Sequence, residues 1–251
     1  MHVQPAANSP VTRRAWAKLI VGLLVGFVAL QGSATALGSD RGQAGIVIAL
    51  VVAATLVVVQ RLLFAHSFLA VAFALGLGKP KARGLLTGAV AGLVLILVVH
   101  GYALVTSTTL SPYPGWPWLV IGLFAQAGIA EEMLFRGYLF GNFRRVYPFW
   151  RAAGLSTGPF VIVHLLMFVT LAWPVALAAM LLAVAISFPL AHLFELGGRT
   201  IWAPAIVHCV VQGTLKVIVS DPVGMELPLV WMAASAVLPY FVFLIRIPGT
   251  D

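Results

Sequence analysis

The chain is short of charge, of cysteine and of polar sequence. Only 9 % of its 251 residues are Asp, Glu, Lys or Arg, and just seven are acids. The one cysteine, Cys209, excludes an intrachain disulfide and gives no indication of redox compartment. No internal repeat is evident, which counts against an inverted-repeat transporter, and no low-complexity stretch or His-Glu-x-x-His helix is present. The net charge of +8 does not point to nucleic acid, because the basic residues stand singly or in pairs between apolar runs.

What fills the chain instead is hydrocarbon. Hydrophobic residues make up 61 % and the mean hydropathy is +1.05, far above the roughly half-apolar usage of soluble domains. A span of a bilayer core needs about 20 apolar residues, so the sequence predicts an all-α polytopic membrane protein of about eight helices in one bundle. The expected spans are 19–37, 44–60, 85–106, 116–140, 153–172, 175–196, 201–219 and 227–245, and together they make one transmembrane domain over 19–246. Residues 1–18 form a cytosolic tail, loose over 1–10. Ala34-Thr35-Ala36 also offers a signal-peptide cleavage site as an alternative reading of residues 1–36.

The positive-inside rule sets the orientation. With both termini cytosolic, Arg13, Arg14, Lys18, Arg61, Lys79, Lys81, Arg83, Arg144, Arg145, Arg151, Arg199 and Arg246 collect inside, and Asp40, Arg41, Lys216, Asp221 and Glu226 fall outside. Residues 62–78 read as an extension of the second span followed by an interfacial segment, since a ninth span would invert every later loop. Glycines spaced by four, at Gly22 and Gly26, Gly84 through Gly92, and Gly137 and Gly141, predict close helix contacts. Trp116, Trp118, Trp173 and Trp231 are expected at the outer interface.

Against this background Glu131, Glu132 and Arg136 stand out inside the fourth apolar run. An ionisable group at the centre of a membrane helix costs roughly 2.5–3.5 kcal/mol on insertion scales, so such residues point to function. Glu132 and Arg136 are four apart and share a helix face as a favourable ion pair. Glu131 points about 100° away, free for chemistry. Two further pairs at the same spacing lie in apolar helices: Phe160 with His164, and His208 with Gln212. At 1.5 Å per residue, Glu131 and His164 lie about 16 Å and His208 about 10 Å from the cytosolic ends of their spans. Matched depth on three helices predicts one shared, water-accessible site in the cytosolic half.

Such a set can hydrolyse. A carboxylate and an imidazole can activate water as general bases, and an imidazole with a carboxamide can hold an oxyanion. A zinc held by Glu131, His164 and His208 is the rival chemistry. His192 and Glu195 near Arg199 read as an interfacial cluster, Cys209 as packing, and His66 and His100 have no nameable partner.

The ordered trio Glu131-Glu132-x-x-x-Arg136, Phe160-x-x-x-His164 and His208-x-x-x-Gln212, over residues 80–219 with its Gly-Lys-Pro-Lys lead-in, resembles the CPBP family of CAAX proteases and bacteriocin-processing enzymes, also called Abi. The resemblance implies an intramembrane endopeptidase in which Glu131 and His164 activate water and His208 with Gln212 forms the oxyanion site. Glu132, Arg136 and Phe160 would support these groups. It leans toward no obligatory cofactor or metal, a membrane-embedded or lipid-anchored peptide as substrate, and a plasma membrane of bacterial type. Gln212 departs from the usual Asn or Asp at that position. A non-proteolytic scaffold or immunity protein of the same family, and an ion-coupled transporter, are the alternatives.

Overall fold

The computed structural model describes residues 13–37 and 41–247, so the loose tail expected over 1–10 lies outside the described residues. The molecule is a helical bundle. Its long helices are α1 (Arg13–Ala36), α2 (Arg41–Phe64), α4 (Ala82–Thr106), α5 (Trp116–Phe143), α6 (Phe149–His164, with a further turn at Met167–Thr170), α7 (Trp173–Leu196), α8 (Trp202–Val217) and α9 (Glu226–Val237, continued as a 3-10 helix over Leu238–Leu244). Among the described residues, seven of these stretches are long and apolar enough to cross a membrane.

The seventh expected span, 201–219, is shorter than the sequence suggested. α8 has 16 residues, about 24 Å at 1.5 Å per residue, against a hydrocarbon core of about 30 Å. Its apolar run continues to Val219, but Ile218–Asp221 leaves the helix as strand β2 and pairs antiparallel with β1 (Thr109–Pro112), from Thr109 opposite Asp221 to Pro112 opposite Ile218. The β-branched Ile218 and Val219 suit a strand, and this small ribbon is the addition to an otherwise all-α plan. α8 lies inside the bundle, packed against α4, α5 and α7.

The stretch after α2, expected to be an interfacial segment, forms no further long helix. α2 ends at Phe64, Ala65 turns with a φ of 55°, and Ser67 caps a seven-residue helix, α3 (Phe68–Ala74), which leaves Phe68, Leu69 and Phe73 exposed. Several helix ends meet beneath it: Ile201 N–H donates to the Gly76 carbonyl, Trp202 Nε1 to Gly78, Lys81 N–H to Gly197, and Lys18 Nζ to Leu63. This is the basic end of the bundle.

Small residues set the approach of the helices. A side chain on Gly84 would strike Gly197, and one on Gly88 would strike Ala203, so α4 lies directly on the α7–α8 segment. Gly22 faces Tyr138, whose hydroxyl donates to the Lys18 and Leu19 carbonyls. Gly137 abuts the Leu75 backbone. Because a methyl at Gly137 meets a carbonyl and not a movable side chain, Gly137→Ala is expected to lose about 1–3 kcal/mol from overpacking. Gly101→Ala, which has open space around it, is expected to be neutral or to gain up to about 1 kcal/mol in helix propensity. Thermal unfolding of the two variants in detergent checks the contrast. Trp231, expected near the outer boundary, is buried and donates from Nε1 to the Val211 carbonyl.

Candidate active site

The acids sit in an unusual helix. α5 begins as α-helix over Trp116–Leu123, but Phe124–Glu131 and Met133–Phe140 are π-helical, with Glu132 at the junction. Runs of π-helix are rare and concentrate at functional sites. Despite the wider winding, the i to i+4 pair survives: Arg136 Nη1 donates to Glu132 Oε1 at 2.9 Å. Glu132 is 0 % exposed and Arg136 is buried with it.

The same Glu132 oxygen receives a second donor. His208, from α8, approaches Oε1 with Nδ1 at 2.6 Å, while its Nε2 stands 3.7 Å from Glu131 Oε2. His208 therefore bridges the two glutamates. A carboxylate held by Arg136 only accepts, so Nδ1 carries the proton. Glu132 Oε2 is buried with no hydrogen-bond partner among the described residues. Glu131 takes no partner from its own helix, and its side chain keeps 13 % exposure.

His164 enters from the last turn of α6, immediately before that helix breaks at Leu165 and Leu166. Its Nδ1 lies 2.7 Å from the Phe160 carbonyl. A carbonyl only accepts, so Nδ1–H is the donor and Nε2 presents a lone pair in the neutral ring. Pro159 sits inside this helix one residue before Phe160. The Phe160 ring is the common wall: His164 lies 4.9 Å and His208 6.0 Å from it edge-on, Phe135 4.7 Å away, and the Arg136 guanidinium 4.6 Å over its face. His164 also lies near enough to feel the charges of Glu131, His208 and Arg136.

The structure thus brings together Glu131, Glu132, Arg136, Phe160, His164 and His208. Gln212 is one helical turn beyond His208, partly buried, with no hydrogen bond among the described residues. Ser187 was not anticipated. Its hydroxyl donates to the Ala183 carbonyl at 2.8 Å and receives a long contact, 3.5 Å, from Arg136 Nη2; a lone serine in an apolar span gives little signal. Glu195 pairs with Arg144 at 2.5 Å, and His192 bonds through Nε2 to the Ile245 carbonyl at 2.9 Å, so the expected His192–Glu195 cluster is two separate contacts. Among the described residues no three His, Cys, Asp or Glu side chains are grouped closely enough to hold a metal ion.

Residues 113–214 match the type II CAAX prenyl endopeptidase Rce1-like family. The Rce1-like segment opens just before α5 and ends two residues after Gln212, so it contains Glu131, Glu132, Arg136, Phe160, His164, Ser187, His208 and Gln212. It is narrower than the 80–219 expected, and the Gly-Lys-Pro-Lys lead-in falls outside it. The chain matches no curated protein and no solved structure. An Rce1-like core in a bundle of apolar helices supports an intramembrane protease.

Proposed function

We propose that the protein is an intramembrane endopeptidase that hydrolyses peptide bonds of membrane-anchored or transmembrane substrates with water activated by Glu131 and His164. The observation that carries this reading is the His208 bridge between Glu132 and Glu131, with the His164 Nε2 lone pair across the Phe160 ring.

In the proposed reaction a water molecule gives its proton to the Glu131 carboxylate or to His164 Nε2 as its oxygen attacks the scissile carbonyl carbon. The carbonyl becomes an oxyanion, which accepts hydrogen bonds from the Gln212 carboxamide and from His208. His208 can donate from Nε2 only while its Nδ1–H is also kept by Glu132, so it acts there as the imidazolium between two carboxylates. Collapse of the tetrahedral intermediate breaks the carbon–nitrogen bond, and the stored proton passes to the leaving amine. Glu132 and Arg136 hold His208 in place and take no proton.

The oxyanion assignment is tested at Gln212. Removing one oxyanion donor typically slows turnover about 100- to 1,000-fold. Gln212→Ala should therefore lower kcat in that range with KM nearly unchanged, and Gln212→Asn should retain substantial activity. The assay is cleavage of a lipid-anchored CAAX peptide by purified protein in vesicles. Activity is expected to persist in chelator. Stoichiometric zinc in the active protein, with activity lost to chelator and restored by metal, would refute the metal-free reading.

A further inference from the structure

A pocket of about 490 Å³ opens at the basic end of the bundle, beneath α3, and is lined in part by His66, Lys79, Arg145, Arg199 and Thr200. Its volume falls in the range of small-molecule sites.

Charge is what distinguishes it. Three cations line the pocket and no carboxylate does. Glu195, whose charge reaches Arg199, lies outside the lining and is engaged by Arg144. Arg199 has a structural duty, donating from Nη2 to the Gly141 carbonyl at 3.2 Å with its backbone in the left-handed region at a φ of 63°. Lys79 and Arg145 have none: among the described residues neither side chain makes a hydrogen bond or ion pair. Burial and the neighbouring Arg145 charge hold the His66 imidazole below its usual range, and its Nδ1 is buried with no hydrogen-bond partner. Uncompensated cations gathered around a concave surface call for an anion.

The position narrows the kind of anion. The ends of α2, α5 and α7 and the start of α4 meet around the pocket, and helix ends lie at the headgroup level of a bilayer. The roof is α3, whose Phe73 lines the pocket and whose Phe68 and Leu69 are exposed beside it. Arg145 also lines a second, smaller cavity of about 140 Å³, whose walls include Leu19, Phe64, Phe143 and Val146. One guanidinium therefore stands between a basic hollow and an apolar slot. Free phosphate would satisfy only the first, whereas a phospholipid has a part for each. Basic pockets between helix ends are where anionic headgroups bind.

We propose that the Lys79–Arg145–Arg199 pocket binds a phosphate group, that of an anionic membrane phospholipid, with hydrocarbon reaching the slot walled by Phe64 and Phe143. Lys79 and Arg145 carry the affinity, and Arg199 shapes the wall.

The test is lipid retention by the purified full-length protein, read by native mass spectrometry and thermal unfolding. The arms are phosphatidylglycerol, phosphatidylcholine and inorganic phosphate. Phosphatidylglycerol should be retained and should raise Tm, while phosphatidylcholine and inorganic phosphate should do neither. Lys79→Gln with Arg145→Gln should weaken phosphatidylglycerol about 10- to 30-fold, as removal of two headgroup-level charges implies. Arg83→Gln, an exposed charge outside the pocket, should leave it unchanged. Equal weakening by Arg83→Gln, or undiminished retention by the double variant, would reduce the effect to general surface charge and overturn the proposal. Protection by inorganic phosphate equal to that of the lipid would overturn the lipid assignment. Phe64→Ala keeps every charge and should weaken the lipid; retention equal to the parent would remove the hydrocarbon arm of the proposal.

Discussion

Glu131→Gln is expected to remove cleavage of a lipid-anchored peptide and leave a folded protein. The side chain is partly exposed, takes no partner from its own helix, and stands 3.7 Å from His208 Nε2, so the amide introduces no buried orphan charge. What it removes is the carboxylate proposed to receive the proton of the attacking water. General-base groups contribute about 100- to 10,000-fold to rate, and the loss should appear in kcat with KM little changed. Membrane-peptide proteomics of cells carrying the natural protein or Glu131→Gln gives the substrate-independent version of the measurement. Full activity in Glu131→Gln would refute the proposed mechanism.

Glu132→Gln should do the opposite to the fold. Arg136 is buried, and its guanidinium is neutralised by Glu132 at 2.9 Å. Breaking a buried pair by removing one partner costs about 3–5 kcal/mol, because the survivor's charge stays desolvated. Folded yield in detergent should fall well below that of Glu131→Gln. Removing both charges, as in Glu132→Leu with Arg136→Met, should recover much of the yield, since an apolar replacement leaves no desolvated charge unpaired. Activity should not return with it, because His208 then loses the acceptor that fixes Nδ1. Equal yields for Glu131→Gln and Glu132→Gln would remove the division of labour between the acids.

That division was partly legible in the sequence. Charge in an apolar run is conspicuous, and the spacing of four put Glu132 with Arg136, which the structure bears out. Depth arithmetic paired Glu131 with His208 on different helices, because a helix converts residue number to height almost regardless of side chain. The azimuth of one helix against another has no such local rule. The 2.6 Å contact from His208 to Glu132 was therefore invisible, and His208 was read as a partner of Gln212 or as a ligand beside Glu131 and His164, not as a partner of Glu132. Ser187 reaches the site through Arg136 across 51 residues, beyond any local pattern. The pocket around Lys79, Arg145 and Arg199 was hidden for another reason. The positive-inside rule explained each cation singly, which removed any motive to ask whether they faced one another.

The fold shows the same split. Hydrophobic length located the helices, but it could not separate the 16-residue α8 from a full span, because Ile218 and Val219 are as apolar as the helix they leave. Glycine spacing identified contact faces correctly without naming the partners.

The π-helical winding of α5 makes the site depend on residue count more than on residue identity. Each wide turn holds more residues than an α turn over the same height, so Phe124–Glu131 stores length that an α-helix would not accommodate. Losing a single residue there would let the segment relax to ordinary α winding with its hydrophobicity intact. Each residue of a π turn advances the helix by less than the roughly 100° of an α turn, so the shortened α segment would deliver the Glu131 and Glu132 carboxylates to His208 at a changed angle while their spacing from Arg136 stayed unchanged. Over residues 124–130, substitution should be tolerated wherever volume permits, and insertion or deletion should not.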